Sequence, residues 1–179
     1  MTIFPLNDKK RPTCNEWQSY EGKCSSAMYG VKVPNGFMVI DLDTYKDVTR
    51  EDVESVLGGP LEWDDAYSQQ TLNGGEHYIF AVPDDSNIKQ GSDLFKLKGF
   101  DTRVSEKGYV ATGAGYTTVD GDKLENHFDD FKPSLSDAAL KILTVSNSKA
   151  LKAVSGDALD LTIKRDKMAV CNPDGSFLD

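Results

Sequence analysis

An α+β fold is what this sequence predicts, and three observations predict it. Short apolar and β-branched segments crowd residues 2–112, a single capped helical pattern interrupts them after Thr49, and helical patterns gather after Ser134. The chain of 179 residues with 39% hydrophobic content can bury a substantial core and has the size of one domain, so residues 1–179 are expected to form one unit.

The elements follow in order. Residues 2–6 and 27–33 read as strands, and residues 36–43 as a third after the Asn35-Gly36 turn. Thr49 then caps a short helix with Asp52 at its third position, and Gly58-Gly59-Pro60 stops it. Strands at 67–72 and 76–82 flank Asn73-Gly74-Gly75 and predict a hairpin. Further strands are expected near 94–97, 101–104 and 108–112. Beyond them, Ser134 or Ser136 caps a helix through Asp137-Ala-Ala-Leu-Lys-Ile-Leu, and a second short helix runs from Ser148 to Val154 and ends at Gly156. A final strand pair is expected over 159–164 and 167–171, with Arg165-Asp166 at its turn.

Three short motifs carry the chemistry: VIDLD ending at Asp43, GGEHYIF around His77, and GFDTR around Asp101. In a strand, Asp41 and Asp43 leave one face while Ile40 and Leu42 leave the other. Two adjacent acids on an apolar strand repel, and a cation between them resolves the conflict; magnesium and manganese prefer such all-oxygen ligands. Asp101 is placed to add a third carboxylate from a neighbouring strand. Each residue alone has a plainer explanation. A chain with 29 acids contains such pairs by chance, and a lone His in an apolar strand is commonly a hydrogen-bonded structural residue. Their order and context raise all three.

That ordered set resembles the catalytic core of the archaeo-eukaryotic primase superfamily, most closely the bifunctional primase-polymerase domains of phages and plasmids. In that family a hydrophobic-D-hydrophobic-D strand, a GG-x-H-hydrophobic strand and a later D-x-R element recur. Asp41 and Asp43, Gly74, Gly75 and His77, and Asp101 and Arg103 match them here. IFPLNDKKRPT is similar to the family's opening strand and basic K-x-P turn, and KGYVATGAGYT to its later glycine-rich strand, so the resemblance spans about residues 3–118. Residues 119–179 carry no such motif and are expected to cover the sheet, or to dock a helicase or other replication protein.

The resemblance implies an RRM-like antiparallel or mixed sheet covered by helices. It also implies template-directed nucleotidyl transfer with two Mg or Mn ions on Asp41, Asp43 and Asp101. His77 would contact the triphosphate beside the Gly74-Gly75 turn. Lys10 and Arg103 are further candidates for phosphate contacts, from their charge and their position near the motifs. Single-stranded DNA template and nucleoside triphosphates are the implied partners. Two segments depart from the family pattern: the turn before the acid strand reads YGVKVPNGF, and Thr112-Gly113-Ala114-Gly115 stands where a proline-serine pair is frequent.

Composition sets limits on this reading. A net charge of −9 and a pI near 4.7 oppose general attraction to a phosphate backbone, so weak unaided template binding is expected. Lys9, Lys10, Arg11, Lys23 and Lys32 nonetheless make the first segment basic, and Arg103 and Lys107 follow the third motif. No apolar run is long enough to span a membrane and no leader is evident, which gives the host cytosol as the expected location. Cys14, Cys24 and Cys171 fit no zinc spacing and read as reduced structural thiols. There is no G-x-x-x-x-G-K-[ST] loop, no G-x-S-x-G elbow and no H-E-x-x-H pattern. Two rival functions use the same residues: a non-catalytic nucleotide- or nucleic-acid-binding replication module, and a metal-dependent nuclease.

Overall fold

The computed structural model describes residues 1–84, 86–129 and 132–144. In chain order these form β1 (Ile3–Pro5), β2 (Met28–Lys32), β3 (Phe37–Leu42), α1 (Arg50–Leu57), β4 (Tyr67–Gln70), β5 (Glu76–Ala81), β6 (Phe100–Val104), β7 (Tyr109–Gly113), β8 (Thr117–Thr118) and α2 (Asp137–Thr144). The class is α+β, as expected. The strands divide between two antiparallel sheets rather than forming one: β1-β2-β7 and β6-β3-β5-β4-β8. Consecutive strands switch sheets at three places, between β2 and β3, between β6 and β7 and between β7 and β8. At the second, Gly108 N–H closes on the Val104 carbonyl at 2.9 Å, an approach that a side chain would block.

Alternation along β3 and β5 gives the larger sheet two buried faces. Met38, Ile40, Leu42, Tyr78, Phe80 and Phe100 point to one face and pack against Val53 and Leu57 of α1 and Ala139 and Leu143 of α2. Val39, Tyr67 and Ile79 point to the other and meet Val31 and Val110 of the smaller sheet. Strands buried on both sides read as near-continuous apolar runs, which is why FMVIDL and HYIFA are so hydrophobic.

Local chemistry fixes the helices where the sequence places them. Thr49 Oγ1 accepts from Asp52 N–H at 3.1 Å while the Asp52 carboxylate accepts from Thr49 N–H at 3.0 Å, and Gly58 ends α1 with φ +82°. Of the two serines proposed before α2, Ser136 takes the capping role, its Oγ accepting from Ala139 N–H at 3.2 Å.

The strand expected at 94–97 does not form. Leu94–Lys96 is a 3-10 turn with Phe95 at φ 57° and Lys96 at φ 64°. The Asp93 carboxylate closes this loop by accepting from Gly99 N–H at 2.8 Å, and Gly91 already occupies the edge of β6 opposite Thr102. Apolar alternation without a free ladder to join cannot make a strand. Conversely, the short strand β8 was not expected; it pairs with β4 through Gln69 and Gln70. The helix expected at 148–154, the strand pair at 159–171 and Cys171 lie outside the described residues, while Cys14 and Cys24 are free thiols.

Candidate active site

Antiparallel register brings the three motifs onto one line. Asp41 in β3 lies directly opposite His77 in β5 on one side and Asp101 in β6 on the other, and His77 is in turn opposite Gln69 in β4. Directly opposed residues share a face, so Asp101, Asp41, His77 and Gln69 form a polar rung across four strands. The rung lies on the face turned from the helices, beyond the apolar contact of Val39 and Ile79 with the smaller sheet.

A cleft of about 320 Å³ opens between this rung and β7. Lys10, Asp41, Asp43, His77 and Arg103 all line it, together with Lys107, Tyr109 and Tyr116. Asp43 sits one residue past β3, its N–H donating to the Gly99 carbonyl at 2.8 Å and its carboxylate paired with Lys46 Nζ at 2.7 Å. Lys10 is held over the cleft by its own backbone: Tyr109 Oη donates to its carbonyl at 2.9 Å, and the Asn7 side chain accepts from Lys9 and Arg11 N–H at 3.0 Å each.

Charge compensation inside the rung is close. One Arg103 nitrogen donates to Asp41 Oδ2 and to Asp101 Oδ2, both at 3.0 Å, and His77 Nε2 lies 3.4 Å from Asp41 Oδ1. Burial pushes the Asp41 carboxyl up, but the attraction and hydrogen bond of His77, with the charges of Arg103 and Lys10, outweigh it and hold the group at about 2. Burial and the nearby Asp41 charge push the Tyr116 hydroxyl up to about 12.

Three expected site residues are placed differently from the rest. Asp101 belongs to the rung but does not line the cleft; its oxygens accept from Ser92 Oγ at 2.7 Å, Asp93 N–H at 2.9 Å and Arg103. Gly74 and Gly75 also lie off the cleft lining. They lock the hairpin turn onto the end of β3: Thr44 Oγ1 donates to the Gly74 carbonyl at 2.8 Å, and a Cβ on Gly75 would stand 2.8 Å from the Leu42 carbonyl oxygen. Gly99 does similar work from the other side, passing within 3.2 Å of Asp43 Cβ where its own Cβ would be.

Sequence reasoning missed Gln69 and Lys46. Gln69 had a usable signal, because a hairpin closed from Thr71 to Gly75 sets it against His77. Asp41 and Asp43 supply acceptor-only oxygens of the kind that hard divalent ions take, with Arg103 and Lys46 now balancing their charge. Among the described residues no three His, Cys, Asp or Glu side chains converge as a ready-made ligand set.

The family model for the N-terminal domain of bifunctional DNA primase/polymerases matches residues 1–127. The chain belongs to that family. A search of curated proteins finds no match. The matched span covers every strand of both sheets and α1, hence the whole polar rung and the cleft of this primase/polymerase domain. Family membership implies an enzyme of the nucleotidyltransferase type. No helix among the described residues is long and apolar enough to cross a membrane.

Proposed function

We propose that this domain carries out template-directed, divalent-metal-dependent nucleotidyl transfer in the replication of a phage or plasmid, extending or initiating a strand on single-stranded DNA. The observation that carries the reading is the convergence of Asp41, Asp43, His77, Lys10 and Arg103 on one cleft, with Asp101 in the same rung. Asp41 and Asp43, with Asp101 as the third carboxylate, would hold Mg or Mn. Such ions, when bound, stabilise the attacking and leaving oxygens of phosphoryl transfer.

The chain's own residues do the positioning. His77 donates to the triphosphate, and Lys10 adds a point charge above Tyr116, whose ring lies 5.6 Å from Lys10 Nζ. Arg103 now spends its charge on Asp41 and Asp101; cations on those carboxylates would free its planar fork for phosphate. Protein incubated with single-stranded template, Mg or Mn and labelled nucleotides, with and without primer, tests the proposal beside an Asp41→Asn/Asp43→Asn control. Extension that the control lacks supports the transfer site, and products without primer add initiation. Folded protein that makes no product under any condition overturns the proposal.

One observation favours a second reading. Asp101 is already satisfied by Ser92, Asp93 N–H and Arg103, as suits a nucleotide-binding module that leaves polymerisation to a partner. Such a module keeps its nucleotide affinity in the Asp41→Asn/Asp43→Asn protein. A nuclease would cleave DNA with no nucleotide added.

A further inference from the structure

Gln69 is the buried neighbour of His77, and none of the three motifs contains it. It is 1% exposed, and its amide is tied at three points. Oε1 accepts from Thr112 Oγ1 at 2.8 Å, Nε2 donates to the Ala111 carbonyl at 2.8 Å, and Nε2 lies 2.7 Å from His77 Nδ1. The Ala111 carbonyl can only accept, so it fixes which end of the amide is nitrogen; the flipped amide would set two acceptors against each other. The second amide hydrogen then points at Nδ1, which is therefore the bare, accepting nitrogen of the ring. The ring proton sits on Nε2, the nitrogen that faces Asp41 Oδ1.

We propose that Gln69 is a positioning residue that fixes the tautomer of His77, so that Nε2–H is presented to the cleft as a donor. The inference rests on the transfer reading in one respect: phosphate oxygens only accept, and a bare Nε2 facing them would repel. Thr112 and Ala111 belong to β7, so the packing of the smaller sheet against β4 sets which nitrogen carries the proton. The other groups around the imidazole are Asp41 from β3, paired with Arg103 from β6, and Tyr116, whose ring centroid is 6.1 Å away beneath Lys10.

Long-range proton–nitrogen correlation spectra of ¹⁵N-labelled protein near neutral pH, without nucleotide or template, read the tautomer directly. The chain has two histidines, and a His127→Gln variant assigns them. The wild-type His77 pattern should be that of a single Nε2–H form. Gln69→Glu, which faces Nδ1 with an acceptor, should move the proton to Nδ1, and Gln69→Leu, which offers Nδ1 no donor, should give mixed tautomers. A wild-type spectrum dominated by Nδ1–H overturns the proposal, as does a His77 pattern unchanged in both variants while His127 reports an intact fold. Should Gln69→Glu fail to fold, the wild-type and Gln69→Leu spectra decide.

In primer extension, Gln69→Leu should raise the nucleotide KM about tenfold, the size of one hydrogen bond, with a smaller change in kcat. Protein with the expected tautomer but no polymerisation would refute the proposed function and leave the role of Gln69 standing.

Discussion

Asp41 is the residue on which the site turns, and its charge has a measurable consequence. Its folded value of about 2 lies below the ordinary 3.8, so it contributes stability that is present above pH 4 and lost as pH falls towards 2. The shift corresponds to about 2 kcal/mol. Urea denaturation at pH 5 and pH 3 should therefore show a smaller acid loss in Asp41→Asn protein than in wild type; equal losses would mean that the rung does not hold this carboxylate. Arg103 is the complementary case, since its one nitrogen serves both acids. Arg103→Ala should destabilise by about 3 kcal/mol, the cost of leaving buried acids uncompensated, and chemical denaturation checks it. Asp41, Asp43 and His77 were readable in the sequence because alternation fixes which face a strand residue takes. Asp101's partners were not, because Ser92 and Asp93 reach it through a loop whose backbone conformation no alternation describes.

At the scale of elements, caps and turns carried most of the legible structure. Loss of the Thr49 capping box in Thr49→Ala should cost about 1 kcal/mol in a denaturant titration without changing the cleft. Gly75→Ala tests the hairpin instead. The added Cβ would press on the Leu42 carbonyl oxygen, so the turn must shift where Asp43 leaves β3. Primer extension should fall at least tenfold while thermal stability drops by only a few degrees. The hairpin itself was visible because Asn73-Gly74-Gly75 separates two apolar runs, whereas residues 94–97 misled. Phe95 and Leu97 alternate with Lys96 and Lys98 like a strand, yet Asp93 and Gly99 close them into a loop. Pattern records which residues seek burial; a strand also needs an unoccupied neighbour.

Over the whole molecule, the net charge of −9 opposes phosphate in general, and the proposed function assigns the local compensation to the cleft. Lys10, Arg103 and Lys107 are the lysines and arginine that line it. Three phosphate contacts on a single strand predict a slope of about −2 in log affinity against log salt. Fluorescence anisotropy of a labelled oligonucleotide measures this directly, and a slope steeper than about −5 would place the template on another basic surface.

The sequence by itself determined the α+β class, the capped helices, the hairpin and which acids and histidine to regard as candidates for the site. Those features depend on side-chain period and short-range chemistry, which reach only a few residues along the chain. The tertiary structure alone decided that the strands divide into two sheets and that Asp101, Asp41, His77 and Gln69 share one rung. It alone placed Thr112 and Ala111 to orient Gln69. Register between distant strands is set by the sum of packing on both faces of a sheet, a quantity that no local segment contains.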